Sequence, residues 1–257
     1  MTLYVLICCC NSSILNVPRI LHPARKDVKY VISHQKTTDV PSDDAVNGML
    51  LRSDVIYSSL NGLGLSRNRN NALEVCAQSA GNDDICLIAD DDVEYPEDAF
   101  DTVLNAFRAN VADVLTFQIS TKDSNVPFKK YFPNAHDILK PIIRGDGYVS
   151  SIEIAFRISS IRSSGICFDE NFGLGGRLYP EGGEEAVFIS DCISNGLHVR
   201  YIPEVIVYHK YESSGKKQKT VSKARMMLGV AERVYGKFSL EAAIARLRCL
   251  YRHILMK

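Results

Sequence analysis

The sequence predicts an α/β protein organised on a mostly parallel sheet, and three observations predict it. Short apolar runs alternate with helical stretches from residue 3 to about residue 120. One of those runs, Ile85-Cys86-Leu87-Ile88-Ala89, stops on Asp90-Asp91-Asp92. The apolar share, 46% of 257 residues, suffices for one large core or two small ones. Alternation implies parallel neighbours, because a parallel crossover needs a helix-sized connection and strands buried on both faces read as continuous apolar runs.

Residues 3–10 read as the first strand, leaving through Asn11-Ser12-Ser13 into a short helix or loop. Residues 28–33 form a second strand ending at His34 and Gln35, and 54–59 a weaker third before Asn61-Gly62-Leu63-Gly64. A helix is expected over 66–80, with Ser66 as its N-cap and Gly81 as its stop. The fourth strand is 85–89, the next helix 96–110, and the fifth strand 112–120. Between Lys122 and Gly147 the chain is polar, proline-bearing and poorly periodic, a loop region over the site. Residues 150–156 read as a strand and 157–164 as a helical turn. Gly182-Gly183-Glu184-Glu185 opens a helix to about Ser194, closed by Asn195-Gly196. Two short strands, 198–201 and 205–208, flank Pro203, and two helices, 220–235 and 239–256, end the sequence.

Formal charge balances at 30 basic against 30 acidic residues, but not locally. From Lys216 onward eleven Lys and Arg face only Glu232 and Glu241, so this tail carries +9 and residues 1–215 carry −9. Ile244, Leu247, Leu250, Tyr251, Ile254 and Leu255 form one face of the last helix, with Arg246, Arg252 and His253 away from it. Such a helix either lies on an anionic membrane or packs on the domain with its charges in water. No basic stretch interleaved with aromatics supports nucleic-acid binding.

The eight cysteines show no metal-binding spacing, and Cys8, Cys9 and Cys10 are adjacent on a strand. Side chains that alternate between faces are small buried hydrophobes here, which predicts a reducing compartment. The N-terminal apolar run lacks a basic leader and is too short to span a bilayer, and no other run spans one. The expected location is cytoplasmic, soluble or peripheral at the inner face of the membrane.

Three like charges at the carboxyl end of a strand lie where an open α/β sheet binds ligands, and they repel unless solvent or a cation compensates them. Oxygen ligands suit Mg²⁺ or Mn²⁺ rather than Zn²⁺. The bland alternative is a solvated turn with one Asp capping the next helix. Gly64-Leu65-Ser66-Arg67-Asn68-Arg69-Asn70-Asn71-Ala72 is a helix start rich in donors, an anion site for a diphosphate or simply a solvated surface helix. Gly173-Leu174-Gly175-Gly176 through Glu184-Glu185 combines close-approach glycines with acids at a helix start, where the dipole alone would also favour them. His209, after an apolar run, is a ligand or a packed residue.

Together these residues resemble the inverting family 2 glycosyltransferases of the GT-A fold, of the kind that build bacterial surface polysaccharides. Ser66 through Ala72 are like that family's Ala-Arg-Asn-x-Gly/Ala helix start, and Asp90-Asp91-Asp92 are like its Asp-x-Asp signature. Gly183-Glu184-Glu185 is similar to its Gly-x-Glu-Asp motif, and Tyr208-His209 to the histidine that often closes the set. The resemblance covers about residues 3–210.

The resemblance implies a Rossmann-like sheet with a C-terminal helical extension: a transferase domain over 1–212, split into a nucleotide-sugar half (1–120) and an acceptor half (121–212), then a basic extension over 213–257. It implies a nucleotide-sugar donor, a UDP-sugar, and a glycan or lipid-linked oligosaccharide acceptor. Cys10, Asn11, His34, Gln35, Ser66, Arg69, Asn70, Asp90 and Asp91 would lie around the donor, with Arg69 steadying the nucleotide. Asp92 and His209 would hold Mn²⁺ or Mg²⁺. Glu185 stands at the catalytic-base position, where the family has Asp, and Glu184 would orient the acceptor, so either carboxylate could take the proton. A second departure is Ser33-His34-Gln35, where the family has an Asp that pairs with uracil. The competing readings are a sugar nucleotidyltransferase, against which no Gly-rich loop with a following Lys stands near the first strand, and a non-catalytic nucleotide or cation-binding module, which would not need Glu185.

Overall fold

Eight strands, β1 (Leu3–Cys10), β2 (Val28–Lys36), β3 (Val55–Asn61), β4 (Ile85–Asp90), β5 (Val114–Ser120), β6 (His136–Asp137), β7 (Ile154–Arg157) and β8 (Val199–Tyr208), form one sheet ordered β3-β2-β1-β4-β7-β5-β8-β6. The helices are α1 (Asp43–Leu50), α2 (Leu65–Ser79), α3 (Ala99–Ala109), α4 (Ile158–Ser164), α5 (Glu184–Ser194), α6 (Val221–Tyr235) and α7 (Leu240–Leu255), with 3₁₀ turns at Asn11–Arg19 and Ser151–Glu153. This computed structural model describes residues 1–37, 41, 43–122, 128–210 and 221–255, without the side chains of 43–45 and 254–255.

Pairing is parallel for β1 with β2 and β4, β2 with β3, and β5 with β8, while β7 runs antiparallel between β4 and β5 and β6 antiparallel to β8. Both faces of β1 are buried. Leu3, Val5, Ile7 and Cys9 pack with Ile14, Val17 and the α3 residues Phe100, Val103 and Phe107. Tyr4, Leu6 and Cys8 face Ala72 and Cys76 of α2 and Phe188 of α5. That two-sided burial is why the run lacks polar alternation, and the eight cysteines are all free.

A third apolar cluster joins α5 to the C-terminal helices. Phe172, Ala186 and Val187 pack against Met226, Val230 and Ala231 of α6, and Ala245 of α7 completes the layer. Gly183 makes this approach possible: its φ is +89°, and a Cβ there would lie 2.5 Å from Val230 Cγ2. Among the described residues no helix is long and apolar enough to cross a membrane.

Five features differ from the sequence expectation. The two strands expected around Pro203 are one continuous β8, because the register with β5 shifts between Thr116 and Gln118 and this bulge absorbs the missing proline N–H. Helix α2 starts at Leu65 after Gly64, so Ser66 sits inside the first turn and is not the N-cap; its Oγ donates instead to Phe172 O at 2.7 Å. Residues 150–156 are a 3₁₀ turn followed by β7. Helix α1, unexpected with glycine at position 48 in its interior, follows β2, and the two-residue β6 lies inside the expected loop, of which 123–127 fall outside the described residues.

Strands β1 and β4 are adjacent, and from β1 the chain goes to β2 on one side while β4 lies on the other. The carboxyl ends of these strands, Cys10 and Asp90, thus meet at a topological switch point, where sheets of this class bind ligands.

Candidate functional site

Asp90 closes β4, and Asp91 and Asp92 form the turn beyond it. The three are not equivalent. Asp90 is partly exposed and faces Arg69; Asp92 is exposed; Asp91 turns back and accepts a hydrogen bond from Ser13 Oγ. Burial, opposed by that bond but reinforced by Asp90 and Asp92, pushes the Asp91 carboxyl up to about 6. A folded value above the ordinary aspartate value of about 3.9 means that the fold favours the protonated form. Its stabilisation is complete below about pH 4 and is lost as pH rises through 6. Asp91→Asn keeps an acceptor for Ser13 and removes the charge. The variant is expected to exceed the wild type in urea-unfolding free energy by about 1–2 kcal/mol at pH 8, with no difference at pH 4. Equal stability at pH 8 would refute the burial of a charge at this position.

Arg69 links this acidic edge to the second half of the chain. Its Nη2 lies 3.0 Å from Asp90 Oδ1 and its Nη1 2.7 Å from Glu184 Oε1, with the guanidinium over the Phe168 ring. The Arg69 and Glu184 side chains are 2% and 6% exposed. One cation thus holds two carboxylates from elements 94 and more residues apart, and among the described residues Glu184 Oε2 and Arg69 Nε have no hydrogen-bond partner. Glu185 occupies the next position in the first turn of α5, half-buried and without an ion-pair partner among the described residues. Burial pushes its carboxyl above the ordinary glutamate value, and the cations of Arg69 and Lys129 oppose the shift without cancelling it. Of the two carboxylates, Glu184 is committed to Arg69 and Glu185 is available for proton transfer.

Asp92 and His209 are brought together by a two-way backbone bridge: Glu94 N donates to Tyr208 O at 3.0 Å and Tyr208 N to Glu94 O at 2.7 Å. His209 Nε2 then lies 3.4 Å from Asp92 Oδ2, with Phe128 edge-on to the imidazole. Hydrogen bonding between them lowers the Asp92 carboxyl and raises the imidazole. Adjacent donors on an octahedral ion bound at about 2.1 Å are roughly 3 Å apart, so the pair fits two neighbouring positions on one cation. Imidazole, softer than oxygen, tips the pair from Mg²⁺ toward Mn²⁺. No group of three or more protein ligands exists among the described residues, so the remaining positions of such an ion would fall to substrate oxygens and water.

On the other side of β1 the residues expected beside the donor are held firmly. Cys10 N donates to Ser13 Oγ at 2.9 Å, and Asn11, with φ of 51°, accepts from Thr37 N through Oδ1. His34 is buried, with Nε2 2.9 Å from Asn11 O and Nδ1 3.0 Å from Tyr57 OH. A carbonyl only accepts, so Nε2 carries the proton; burial lowers the imidazole's proton affinity, and the neutral ring accepts at Nδ1 from Tyr57. Gln35 Nε2 donates to Gly64 O at 2.9 Å. Both residues therefore shape the wall beside β1 with their polar atoms engaged.

Two further residues expected beside the donor face elsewhere. Ser66 is buried against Phe172, and the Asn70 amide is matched at both ends by the Phe168 backbone, donating to its O and accepting from its N. Asn70 also lines an open groove of about 640 Å³ with Asp169, Asp191 and Arg233, which includes none of the acidic edge. The start of α2 is covered by the glycine-rich segment: Leu65 N donates to Leu174 O at 2.8 Å, and a Cβ at Gly175 would come within 3.2 Å of Gly64 N. Arg67 reaches back to Asn61 O.

Three groups escape the sequence reading. Asn68 and Asn71 form a polar ladder with Ser33, Ser58 and Cys9 O that stitches α2 to β1, β2 and β3. Ser13 holds Asp91. Glu153, buried, is paired with Lys129 Nζ at 2.6 Å and bonded by Tyr131, which fastens residues 129–131 under the site. The Ser150-x-x-Glu153 spacing of a capping box was the available signal.

No protein-family model matches the chain, and no curated protein sequence matches it. Among solved structures the chain is similar to S. aureus TarS. For residues 1–349 of TarS the TM-score is 0.65 at 15% identity, covering 98% of this chain and 72% of that one. For the same fragment in complex with UDP-GlcNAc the values are 0.64 and 16%, with the same coverage. A longer TarS structure gives 0.61 at 15%, covering 98% of this chain and 43% of that one. At such identity the likeness is one of fold: the eight-stranded, mostly parallel sheet with flanking helices is the fold of TarS, in line with the GT-A expectation.

Proposed function

We propose that this chain is an inverting, metal-dependent glycosyltransferase of the family 2 type. It moves a sugar from a nucleoside-diphosphate sugar, a UDP-sugar, to a hydroxyl of a glycan acceptor carried on a lipid at the cytoplasmic face of the membrane. The observation that carries this reading is the gathering, beyond the carboxyl end of β4, of the Asp92–His209 pair, the Asp90–Arg69–Glu184 bridge and Glu185, which has no ion-pair partner among the described residues. The TarS complexes with UDP-GlcNAc and UDP support a nucleoside-diphosphate sugar as the donor class.

Asp92 and His209 would hold the cation, which when bound neutralises charge on the departing diphosphate. Asp90, fixed by Arg69, presents its carboxylate to the donor side. Glu185 accepts the proton of the acceptor hydroxyl, and its raised proton affinity suits a base working near neutral pH. Glu184, held by Arg69, sets the first turn of α5 and through it the position of Glu185. Displacement assisted by a single base inverts the anomeric centre and needs no enzyme nucleophile. Residues 1–120 then serve the donor and 121–212 the acceptor, with Arg69–Glu184 as the tie between halves, and 213–257 form the basic extension.

The test is thermal shift and hydrolysis with a panel of nucleotide sugars in Mn²⁺, Mg²⁺ or chelator. Stabilisation and turnover are expected with a UDP-sugar and Mn²⁺. Asp92→Ala, at an exposed position that leaves the fold intact, is expected to lower turnover by about 100-fold or more. Undiminished turnover of that variant in excess chelator would end the metal assignment.

A further inference from the structure

Helix α7 packs inward through Ala242 and Ala245, with Cys249 half-buried beside them. The opposite side is apolar and open. Leu240, Leu247, Leu250 and Tyr251 are 72%, 68%, 57% and 64% exposed, and Phe238, in the turn before the helix, is wholly exposed. At about 100° per residue, Leu240, Ile244, Leu247 and Tyr251 fall on one stripe, with Leu250 at its margin, nearly diametric to the alanine face. Arg248 lies along one side of the stripe and Arg246 along the other. The sequence left two options for this face, a membrane or the body of the protein. The body is met by alanines instead, and the apolar residues Ile254 and Leu255 fall outside the described side chains.

We propose that this stripe docks α7 in the plane of an anionic lipid bilayer. An exposed row of Leu, Phe and Tyr bordered by arginines is the arrangement of a helix lying at the acyl–headgroup boundary. Charge selects the occupant: residues 221–255 hold seven Lys and Arg against Glu232 and Glu241, and Arg246 already takes Glu232. A second copy meeting face to face would set like charges together, whereas an anionic leaflet complements them. Because α7 lies on α6, and α6 on the N-terminal turn of α5 at Gly183, docking would hold Glu185 at a fixed height above the lipid. Only that last consequence rests on the proposed transfer reaction; the docking does not.

The test is flotation of the 257-residue chain with phosphatidylcholine vesicles, with and without about 30% phosphatidylglycerol. The protein is expected to float with the anionic vesicles alone. Leu247→Glu with Tyr251→Glu should weaken that binding about tenfold or more, and Lys237→Gln with Arg248→Gln severalfold with a flatter salt dependence. Unfolding midpoints and nucleotide-sugar hydrolysis in free solution should stay unchanged, since all four side chains are exposed. Equal flotation of the wild type and the Leu247/Tyr251 variant would overturn the proposal. So would a wild type that ignores anionic vesicles but forms a dimer that Leu247→Glu dissociates. Flotation without hydrolysis of any nucleotide sugar would refute the catalytic reading and leave the docking standing.

Discussion

Glu185→Gln is expected to lower the turnover of sugar transfer by about 10²–10⁴-fold while leaving donor binding within a few fold of the wild type. The substitution keeps size and removes the proton acceptor. Glu185 has no ion-pair partner among the described residues and burial disfavours its charge, so the substitution should leave the unfolding midpoint unchanged or raise it. Burial raises its carboxyl above the ordinary value, and only the ionised form accepts a proton. The rate should therefore rise with pH through that elevated value, placing the acid limb of the profile above the range of a free glutamate. Glu184→Gln should behave differently, weakening the tie to Arg69 and costing stability first. Single-turnover kinetics at saturating donor separate the two, and an active Glu185→Gln would transfer the base role elsewhere.

Arg69→Met is expected to cost about 3–5 kcal/mol of stability. The guanidinium is buried and is the cation that both Asp90 and Glu184 face, so its removal leaves Glu184 charged and unpaired in the interior. In a chain of this size the loss corresponds to a fall in melting temperature of about 10 °C or more. Arg69→Lys keeps the charge but cannot present two parallel donors to two carboxylates, and should fall between. The double variant Arg69→Met, Glu184→Gln should recover part of the loss, because it no longer strands a charge. Urea unfolding with an unchanged m-value would register each step, and a cost below about 1 kcal/mol for Arg69→Met would mean that the bridge is solvated.

What the sequence disclosed and what it hid divide along a physical line. Period and termination are local, so β1, β4, α3 and α5 could be placed from apolar runs and their stops, and the acidic edge from the end of one run. Partner choice is not local. Nothing in Arg69 distinguishes a guanidinium that would meet a phosphate from one committed to Asp90 and Glu184, 115 residues away in the latter case. The same holds for Ser66 and Asn70, whose donors are spent on Phe172 and Phe168. Pro203 misled for the opposite reason: its local rule is sound, but a bulge in β8 satisfies it without breaking the strand. The capping-box spacing from Ser150 could have marked Glu153 as a local cap, but its pairing with Lys129 and Tyr131 is not local and shows only once the fold sets them beside it.

The reciprocal amide contacts between Glu94 and Tyr208 have a chemical corollary. They clamp the carboxylate turn to the last residue of β8, one strand in from the sheet's edge, so the backbones that carry Asp92 and His209 are held side by side. A cation held there as proposed would meet two backbones already fastened together instead of drawing two loose arms around itself. Little ordering would then be left to be done on binding.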